Sequence, residues 1–434
     1  MAEKPLKRVP LAFALEAVPS KPAKGAAGGL PGSAPQPITS IIFLLERVYT
    51  MEQIRLGIIG VGNMGSSHIG NILAGKTPEI TVTAAADRRE ERRAWAEQTL
   101  PAGTPIFTEG SQLIAAGVCD AVLIAVPHYQ HPVLAKEAFA HGLHVMCEKP
   151  AGVYTQAVRE MNAAAEQSGK VFGMMFNQRT NCLYRKMHEI VHSGQLGEMK
   201  RVNWIITDWY RTQMYYDSGD WRATWAGEGG GVLLNQCPHQ LDLLQWICGL
   251  PKTVHAFCHE GKWHDIEVED DVTAYLEFEN GATGVFVTTT GDAPGTNRFE
   301  VTGTLGKLVC EDGALTFWHL KEDERQFCRT CQQGFQLPEM EKLTVETDGQ
   351  NPQHVGVLNA FADRILHGGP LVAEGREGLN GLLLSNAMHL SGWLGQTVEI
   401  PFDEALFLQE LDKRRATSRK KEGASITFST EGTY

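Results

Sequence analysis

A glycine-rich turn, Gly60-Val61-Gly62-Asn63-Met64-Gly65, follows a short apolar run, Ile54 to Ile59, and precedes a stretch of helical character, Ser66 to Ala74. A second apolar run, Ile80 to Ala86, ends at Asp87. Strand, glycine turn, helix and a later acidic residue are the parts of a dinucleotide-binding unit. Gly60 permits the tight turn, Gly62 lets backbone approach a pyrophosphate, and Gly65 permits close helix–strand packing. The helix start offers N–H groups and a positive dipole end to phosphates. Asp87 can accept hydrogen bonds from an adenosine ribose. The competing reading is a glycine turn that holds no ligand.

The chain has 434 residues, which suits two domains, and 43% hydrophobic content supports full cores. A net charge of −12 argues against nucleic acid and anionic membrane as partners. The basic residues Lys413-Arg414-Arg415 and Arg419-Lys420-Lys421 read as a solvated face. Nine cysteines without framework spacing suit a reducing compartment, so a cytoplasmic location is expected. Cys328 and Cys331 form a single CxxC without the second ligand pair that zinc needs, and no metal is expected. No apolar stretch approaches the roughly 20 residues that span a bilayer.

Residues 1–50 read differently. Lys21 to Pro37 is almost entirely Ala, Gly, Pro, Ser and Lys, which cannot build a core. The expectation is a disordered or non-native extension, with Met51 opening the first strand. Residues 51–175 then alternate apolar runs with helical patterns. Strands are expected at 54–59, 80–86, 120–126, 143–147 and 171–176, and helices at 64–74, 88–99, 109–116, 131–141 and 154–168. Such alternation implies an α/β unit, a doubly wound parallel Rossmann sheet. Its ligand would lie at strand carboxyl ends, where Val126-Pro127-His128 and Cys147-Glu148-Lys149-Pro150 stand out. Residues 176–402 change texture. A helix at 183–192 leads into strands near 202–208, 272–279, 284–290, 298–302 and 307–310, with helices at 354–367 and 376–395. This implies an α+β domain with a large, mainly antiparallel open sheet, for substrate binding and oligomerisation. Residues 403–434 read as a tail.

Two constellations carry chemistry. Glu148-Lys149-Pro150 closes a buried-looking strand, and a partly desolvated lysine has a lowered pKa that suits proton exchange with a hydroxyl. Pro150 fixes the backbone there, through a cis bond if the turn needs one. Ordinary loop charges are the alternative. Gly229-Gly230-Gly231 opens the second, which runs through Asn235, Pro238 and His239 to Asp242. Three glycines let backbone press against a flat ligand. His239 and Asp242 share a helix face, so the histidine can serve as a general base backed by a carboxylate. A hydrogen-bonded structural histidine is the plain alternative.

In this order and at these separations, the glycine fingerprint, the Glu-Lys-Pro and the GGG-x(5)-C-P-H-x-x-D segment resemble the glucose–fructose oxidoreductase/inositol dehydrogenase/MocA family over roughly residues 51–400. The resemblance implies a dehydrogenase with NAD as cofactor. It places Lys149 and His239 at the family's catalytic lysine and histidine, and His131 at a histidine found after the fourth strand. It expects Asp where this chain has Asn235. An amide cannot take a proton, so Asn235 becomes a substrate anchor. Residues expected at the cofactor are Gly60, Gly62, Asn63, Met64, Gly65, Asp87, Arg88, Val126, Pro127, His131, Glu148 and Lys149. Arg88 and Arg89 leave NADP open, but Asp87 repels a 2′-phosphate and favours NAD.

Trp204, Trp209, Tyr210, Tyr215, Tyr216, Trp221 and Trp225 crowd one segment, interleaved with Asp208, Arg211, Asp217, Asp220 and Arg222. Aromatic faces between polar forks suit a sugar ring; a protein interface is the competing reading. The expected substrate set is Asn235, Asn177, Arg179, Asp208, Tyr210, Arg211, Trp221 and Arg222. The implied reaction is hydride transfer from a ring hydroxyl carbon of a sugar, glycoside or cyclic polyol. The segment resembles members that oxidise glucosyl rings, at C3. A redox-neutral NAD-dependent glycoside hydrolase and a non-catalytic NAD sensor remain alternatives. The second domain's sheet would expose a broad face, so a homo-oligomer is expected.

Overall fold

The computed structural model describes residues 53–419 and 421. The expectation for residues 1–50 lies outside them. Strands β1 (Ile54–Ile59), β2 (Ile80–Ala86), β3 (Ile106–Phe107), β4 (Ala121–Ile124), β5 (His144–Cys147) and β6 (Phe172–Met174) form one sheet in the order β3-β2-β1-β4-β5-β6. Every pairing in it is parallel. Helices Asn63–Leu73, Glu90–Thr99, Gly110–Ala115, Gln130–Ala140 and Thr155–Ser168 connect the strands. Covered on both faces, the central strands are apolar at almost every position, as in the fully buried Ala-Val-Leu-Ile of β4. The chain reverses direction across the sheet between β1 and β4, which opens a crevice at their carboxyl ends. Each expected strand and helix of this half is present within a few residues of its expected bounds.

The second sheet contains β7 (Met199–Ile206), β8 (Thr253–Glu260), β9 (Glu269–Glu277), β10 (Thr283–Thr289), β11 (Asn297–Gly303), β12 (Gly306–Glu311), β13 (Ala314–Leu320), β14 (Met340–Thr344) and β15 (Val398–Glu399). Their order is β14-β13-β12-β11-β7-β10-β9-β8-β15. Only β7–β10 pair in parallel; the rest are antiparallel. One face is the core: Val202, Trp204 and Ile206 of β7 alternate with outward residues, and Trp204 stacks on Phe299 with ring centroids 4.0 Å apart. Helix Gly378–Leu394 packs on β8 and on helix Pro238–Cys248, and both helices share one buried cluster with Val202, Trp204 and Ile206. The other face carries exposed Ile205, Phe257 and Tyr275. Strands β8, β13, β14 and β15 go beyond the sequence reading. β14 is exposed throughout, so it has no apolar alternation to show.

Two boundaries need correction. Helix Gln353–His367, expected within the second domain, buries Val357, Leu358, Phe361 and Ala362 in one cluster with Ile54, Leu56 and Ile58 of the first. Its amphipathic stripe is the same whichever core receives it, so periodicity could not say where it docks. The stretch read as a tail begins with helix Glu404–Ala416, whose Phe407 and Leu411 are buried. Within this stretch Lys413 and Arg415 pair with Glu410 and Asp412 as a solvated face should, but Arg414 lies over the Trp393 ring at 4.1 Å and Lys421 donates to the Tyr216 carbonyl oxygen at 3.1 Å, so the run is only partly solvated.

Candidate active site

The glycine turn is built as its residues require. Gly60 has φ +91°, and a Cβ there would lie 2.3 Å from the Ala125 carbonyl oxygen. A Cβ on Gly65 would meet the Gly60 carbonyl oxygen at 1.9 Å. Gly62 precedes helix Asn63–Leu73 and gives it no side-chain cap, leaving the first turn suited to a phosphate. Asp87 stands at the end of β2. Its Oδ2 accepts from Val61 N–H at 2.8 Å, and its Oδ1 from Arg89 N–H at 2.9 Å. These bonds tie the acidic residue to the turn and leave lone pairs for a ribose hydroxyl. Arg88 is engaged elsewhere, pairing with Glu109 at 2.8 Å. The glycine cradle and its acidic neighbour therefore fit a dinucleotide.

Val126 and Pro127 leave the carboxyl end of β4. His131, expected at the cofactor, has another task. Both ring nitrogens lie 2.7 Å from backbone oxygens, of Pro150 and Val126, and the residue is buried. It clamps the ends of β4 and β5 together. The Lys149-Pro150 bond is cis. Glu148 is buried and contacts His68 Nε2 at 2.7 Å. Burial pushes this carboxyl up, but the His68 hydrogen bond and nearby positive charge outweigh it and hold the pKa at about 2.

Lys149 donates from Nζ to the Asn235 backbone carbonyl at 3.0 Å. Burial pushes its pKa down; Glu148 opposes this, while Arg211 and Arg222 push it further down. A lysine so placed holds a neutral amine more readily than one in water. His239 sits in the first turn of helix Pro238–Cys248, with Pro238 opening the helix. Its imidazole is buried, and neither ring nitrogen has a hydrogen-bond partner among the described residues. Burial and the charges of Lys149 and His354 keep it well below the ordinary histidine range, so it is neutral.

The expected backing of His239 by Asp242 is not what the structure shows. Asp242 accepts two bonds from Arg179, at 2.8 and 2.7 Å, and Arg179 also reaches Glu377 at 2.5 Å. Sharing a helix face did not bring the two side chains together, because a stronger bidentate partner claims the carboxylate. Arg179 is thereby committed to a buried ion cluster and presents no free fork to a substrate. Asn177 is fully buried and bonds Gln353. The three glycines press on protein rather than on a flat ligand. Cβ atoms would meet Val153 Cγ1 from Gly229 and the Glu269 carbonyl oxygen from Gly231, at 2.3 and 2.0 Å.

The aromatic segment divides. Trp204, Tyr216 and Trp225 belong to the core. Trp209, Tyr215 and Trp221 are half-buried, and Tyr210 is exposed. Arg211 and Arg222 both stack on Tyr215, at 5.2 and 4.6 Å, and Arg222 Nη1 donates to the Tyr215 hydroxyl at 2.9 Å. Trp221 meets His128 edge-on at 5.7 Å. Asn235 joins this group to Lys149, donating from Nδ2 to the Tyr215 hydroxyl at 3.2 Å. Asp208 is exposed just beyond β7, and partial burial of its carboxylate still raises its pKa. Sequence reading missed Glu228, which is buried and accepts from Asn235 Nδ2. Its place directly before the glycine triplet carries no local signal of that burial.

Comparison with known proteins agrees with this fold. Residues 54–176 match the family described as "Oxidoreductase family, NAD-binding Rossmann fold", and residues 184–309 match "GFO/IDH/MocA C-terminal domain". The chain belongs to the GFO/IDH/MocA oxidoreductase family. This member is 27% identical to the D-glucoside 3-dehydrogenase of Escherichia coli (strain K12), over 55% of this chain and 70% of that protein. It is 26% identical to the inositol 2-dehydrogenase of Corynebacterium glutamicum (strain R), over 53% and 65%. Among solved structures, the WlbA dehydrogenase of Bordetella pertussis in complex with NADH and UDP-GlcNAcA superposes with a TM-score of 0.70 at 25% identity, covering 81% of this chain and 99% of that one. This GFO/IDH/MocA chain is thus an NAD-binding oxidoreductase, and its two sheets are those the sequence implied.

Proposed function

We propose that the protein oxidises a ring hydroxyl of a sugar, glycoside or cyclic polyol, with NAD bound on the Gly60–Gly65 turn and Asp87. Bound there, NAD supplies the acceptor for the hydride that leaves the hydroxyl-bearing carbon. The chain's own residues handle the proton. Lys149 Nζ, lowered by burial and by two arginines, takes it from the substrate hydroxyl. His239, neutral and without a partner among the described residues, bonds the same or an adjacent hydroxyl. Asn235 anchors the ring, while Tyr210, Arg211, Trp221 and Arg222 offer stacking faces and donors. The observation that carries this reading is the pairing of Lys149 at the end of a parallel strand with a buried imidazole that has no hydrogen-bond partner among the described residues and lies in its electrostatic reach. Glucosyl C3 is the carbon we favour, because a D-glucoside 3-dehydrogenase is among the relatives. We infer a homo-oligomer from the apolar outer face of the second sheet, and cytoplasmic residence from nine free cysteines.

Incubating glucosides, inositols and anhydrosugars with the protein and NAD should give NADH absorbance with at least one class. Glycoside cleavage without net NADH would replace this reading with the redox-neutral hydrolase.

A further inference from the structure

Glu228 is a buried carboxylate, 1% exposed, and forms no salt bridge with any described residue. Its Oε2 accepts from Ala223 N–H at 2.5 Å, and its Oε1 accepts from Asn235 Nδ2. The groups around it are Arg222, Asn235, Glu269, Lys149, the Tyr215 and Tyr216 phenols and His128, whose Nδ1 lies 3.1 Å from the Glu228 carbonyl oxygen. His128 is itself kept neutral by burial. Asn235 spends its amide group on Glu228 and on the Tyr215 hydroxyl, and its Oδ1 has no hydrogen bond among the described residues.

An ionised carboxylate can only accept, so it dictates which end of the neighbouring amide faces it. We propose that Glu228 is a positioning residue for the oxidation: ionised, it holds Asn235 with Oδ1 turned toward the substrate hydroxyls, and protonated, it reverses that amide. The reversal follows from counting donors. Ala223 N–H is backbone and always needs an acceptor, so a protonated Glu228 must carry its proton on Oε1. That O–H then donates to Asn235 Oδ1, and the substrate meets an NH₂ donor where it had an acceptor. Burial raises the Glu228 pKa to about 7, Glu269 adding to the rise and Arg222 opposing it, so the two states exchange near neutral pH. The inference rests on the dehydrogenase reading for its rate consequence, but not for its titration.

Three variants test it with a substrate that the NADH screen identifies. Glu228→Gln keeps an acceptor for Ala223 and places its NH₂ against Asn235, which fixes the reversed amide. It should lose about 10–100-fold in kcat, the scale of one misdirected hydrogen bond at a reacting group, and lose the acid limb near pH 7. The double variant Glu228→Gln/Asn235→Asp puts a carboxylate at position 235 that accepts from the new amide at position 228 and still presents an oxygen to substrate. It should recover most of the lost kcat without that limb. Should Glu228→Gln fail to fold, Asn235→Asp alone decides. Two facing carboxylates must share a proton, which moves the limb to higher pH. Independently of turnover, the infrared difference spectrum of the NAD-bound protein between pH 6 and pH 8 should show loss of a protonated carboxyl band that Glu228→Gln lacks. Unchanged kcat and pH profile in Glu228→Gln, an Asn235→Asp profile that superposes on wild type, a double variant as slow as the single, or no titrating carboxyl band would each overturn the proposal.

Discussion

Lys149 Nζ and the backbone carbonyl of Asn235 meet at 3.0 Å although 86 residues separate them in the chain. The contact joins the end of β5 in the first sheet to the loop that enters helix Pro238–Cys248. It thereby sets the proton-accepting amine beside the loop that delivers His239. Removing a group that assists proton transfer costs about 10²–10⁴-fold in rate. Lys149→Ala and His239→Ala should each lose kcat on that scale while NAD binding, read by protein fluorescence titration, stays within a few-fold of wild type. Loss of NAD binding in parallel with turnover would assign both residues to the cofactor instead.

Cofactor choice rests on Asp87. Its carboxylate braces the turn through Val61 and Arg89, and its charge opposes a 2′-phosphate. Wild type should bind NAD more tightly than NADP, and Asp87→Ala should narrow the gap. Because a turn contact is lost too, NAD affinity itself should also fall. A fluorescence titration in which wild type prefers NADP would contradict this assignment.

The glycine turn, Asp87 and the Rossmann elements were legible because their signals are local. A strand, a turn needing φ above zero and an amphipathic helix each show within about ten residues. Asp242 and Arg179 were not legible in the same way. Both looked available from their own segments, and only the fold reveals that they bind each other. Glu228 was hidden for a related reason. An acidic residue beside glycines reads as a solvated turn, and nothing local says that it will be buried against Ala223 and Asn235. Trp204 and Trp225 misled in the opposite sense, since a cluster of aromatics looks like one surface until alternation in β7 sends Trp204 into the core.

Glu148 makes an acid-stability prediction. Its folded pKa, about 2, lies below the ordinary glutamate value of about 4.3. The stabilisation is therefore fully present above the unfolded value and is lost as pH falls toward 2. The gap between the two values corresponds to about 3 kcal/mol. Wild type should lose stability between about pH 5 and pH 2, and Glu148→Gln should begin less stable at pH 7 and fall less over that range. Parallel melting-temperature curves for the two proteins would show that ionisation of Glu148 contributes nothing to the pH dependence of folding.

The outer face of the second sheet should be covered in solution. Ile205, Phe257 and Tyr275 lie on strands of that sheet and are 40%, 60% and 44% exposed. Light scattering at micromolar concentration should give at least a dimer mass. Replacing Phe257 and Tyr275 with lysine should release monomer, since burying unpaired charges against an apolar partner is costly. A wild-type monomer would leave this face without the role assigned to it.

Arg179 separates the two readings of its own position. As a substrate ligand, its removal would raise KM and leave the fold untouched. The structure instead surrounds it with Asp242 and Glu377, its side chain 2% exposed, while Phe176 and Trp246 lie under the guanidinium at 5.5 and 5.2 Å. Truncating one partner of a buried ion pair costs about 3–5 kcal/mol, because the remaining charge is left uncompensated. Arg179→Met should therefore lower the unfolding free energy, read from the denaturation midpoint and slope, by an amount on that scale. Asp242 lies one turn beyond His239 on helix Pro238–Cys248, so freeing it should also loosen the imidazole and reduce kcat. Arg179→Met/Asp242→Leu removes both charges and should recover a large part of the stability. Glu377 then keeps only its partly exposed position, 30% accessible, where water can solvate it. If Arg179→Met melted like wild type and only KM rose, the guanidinium would belong to the substrate after all.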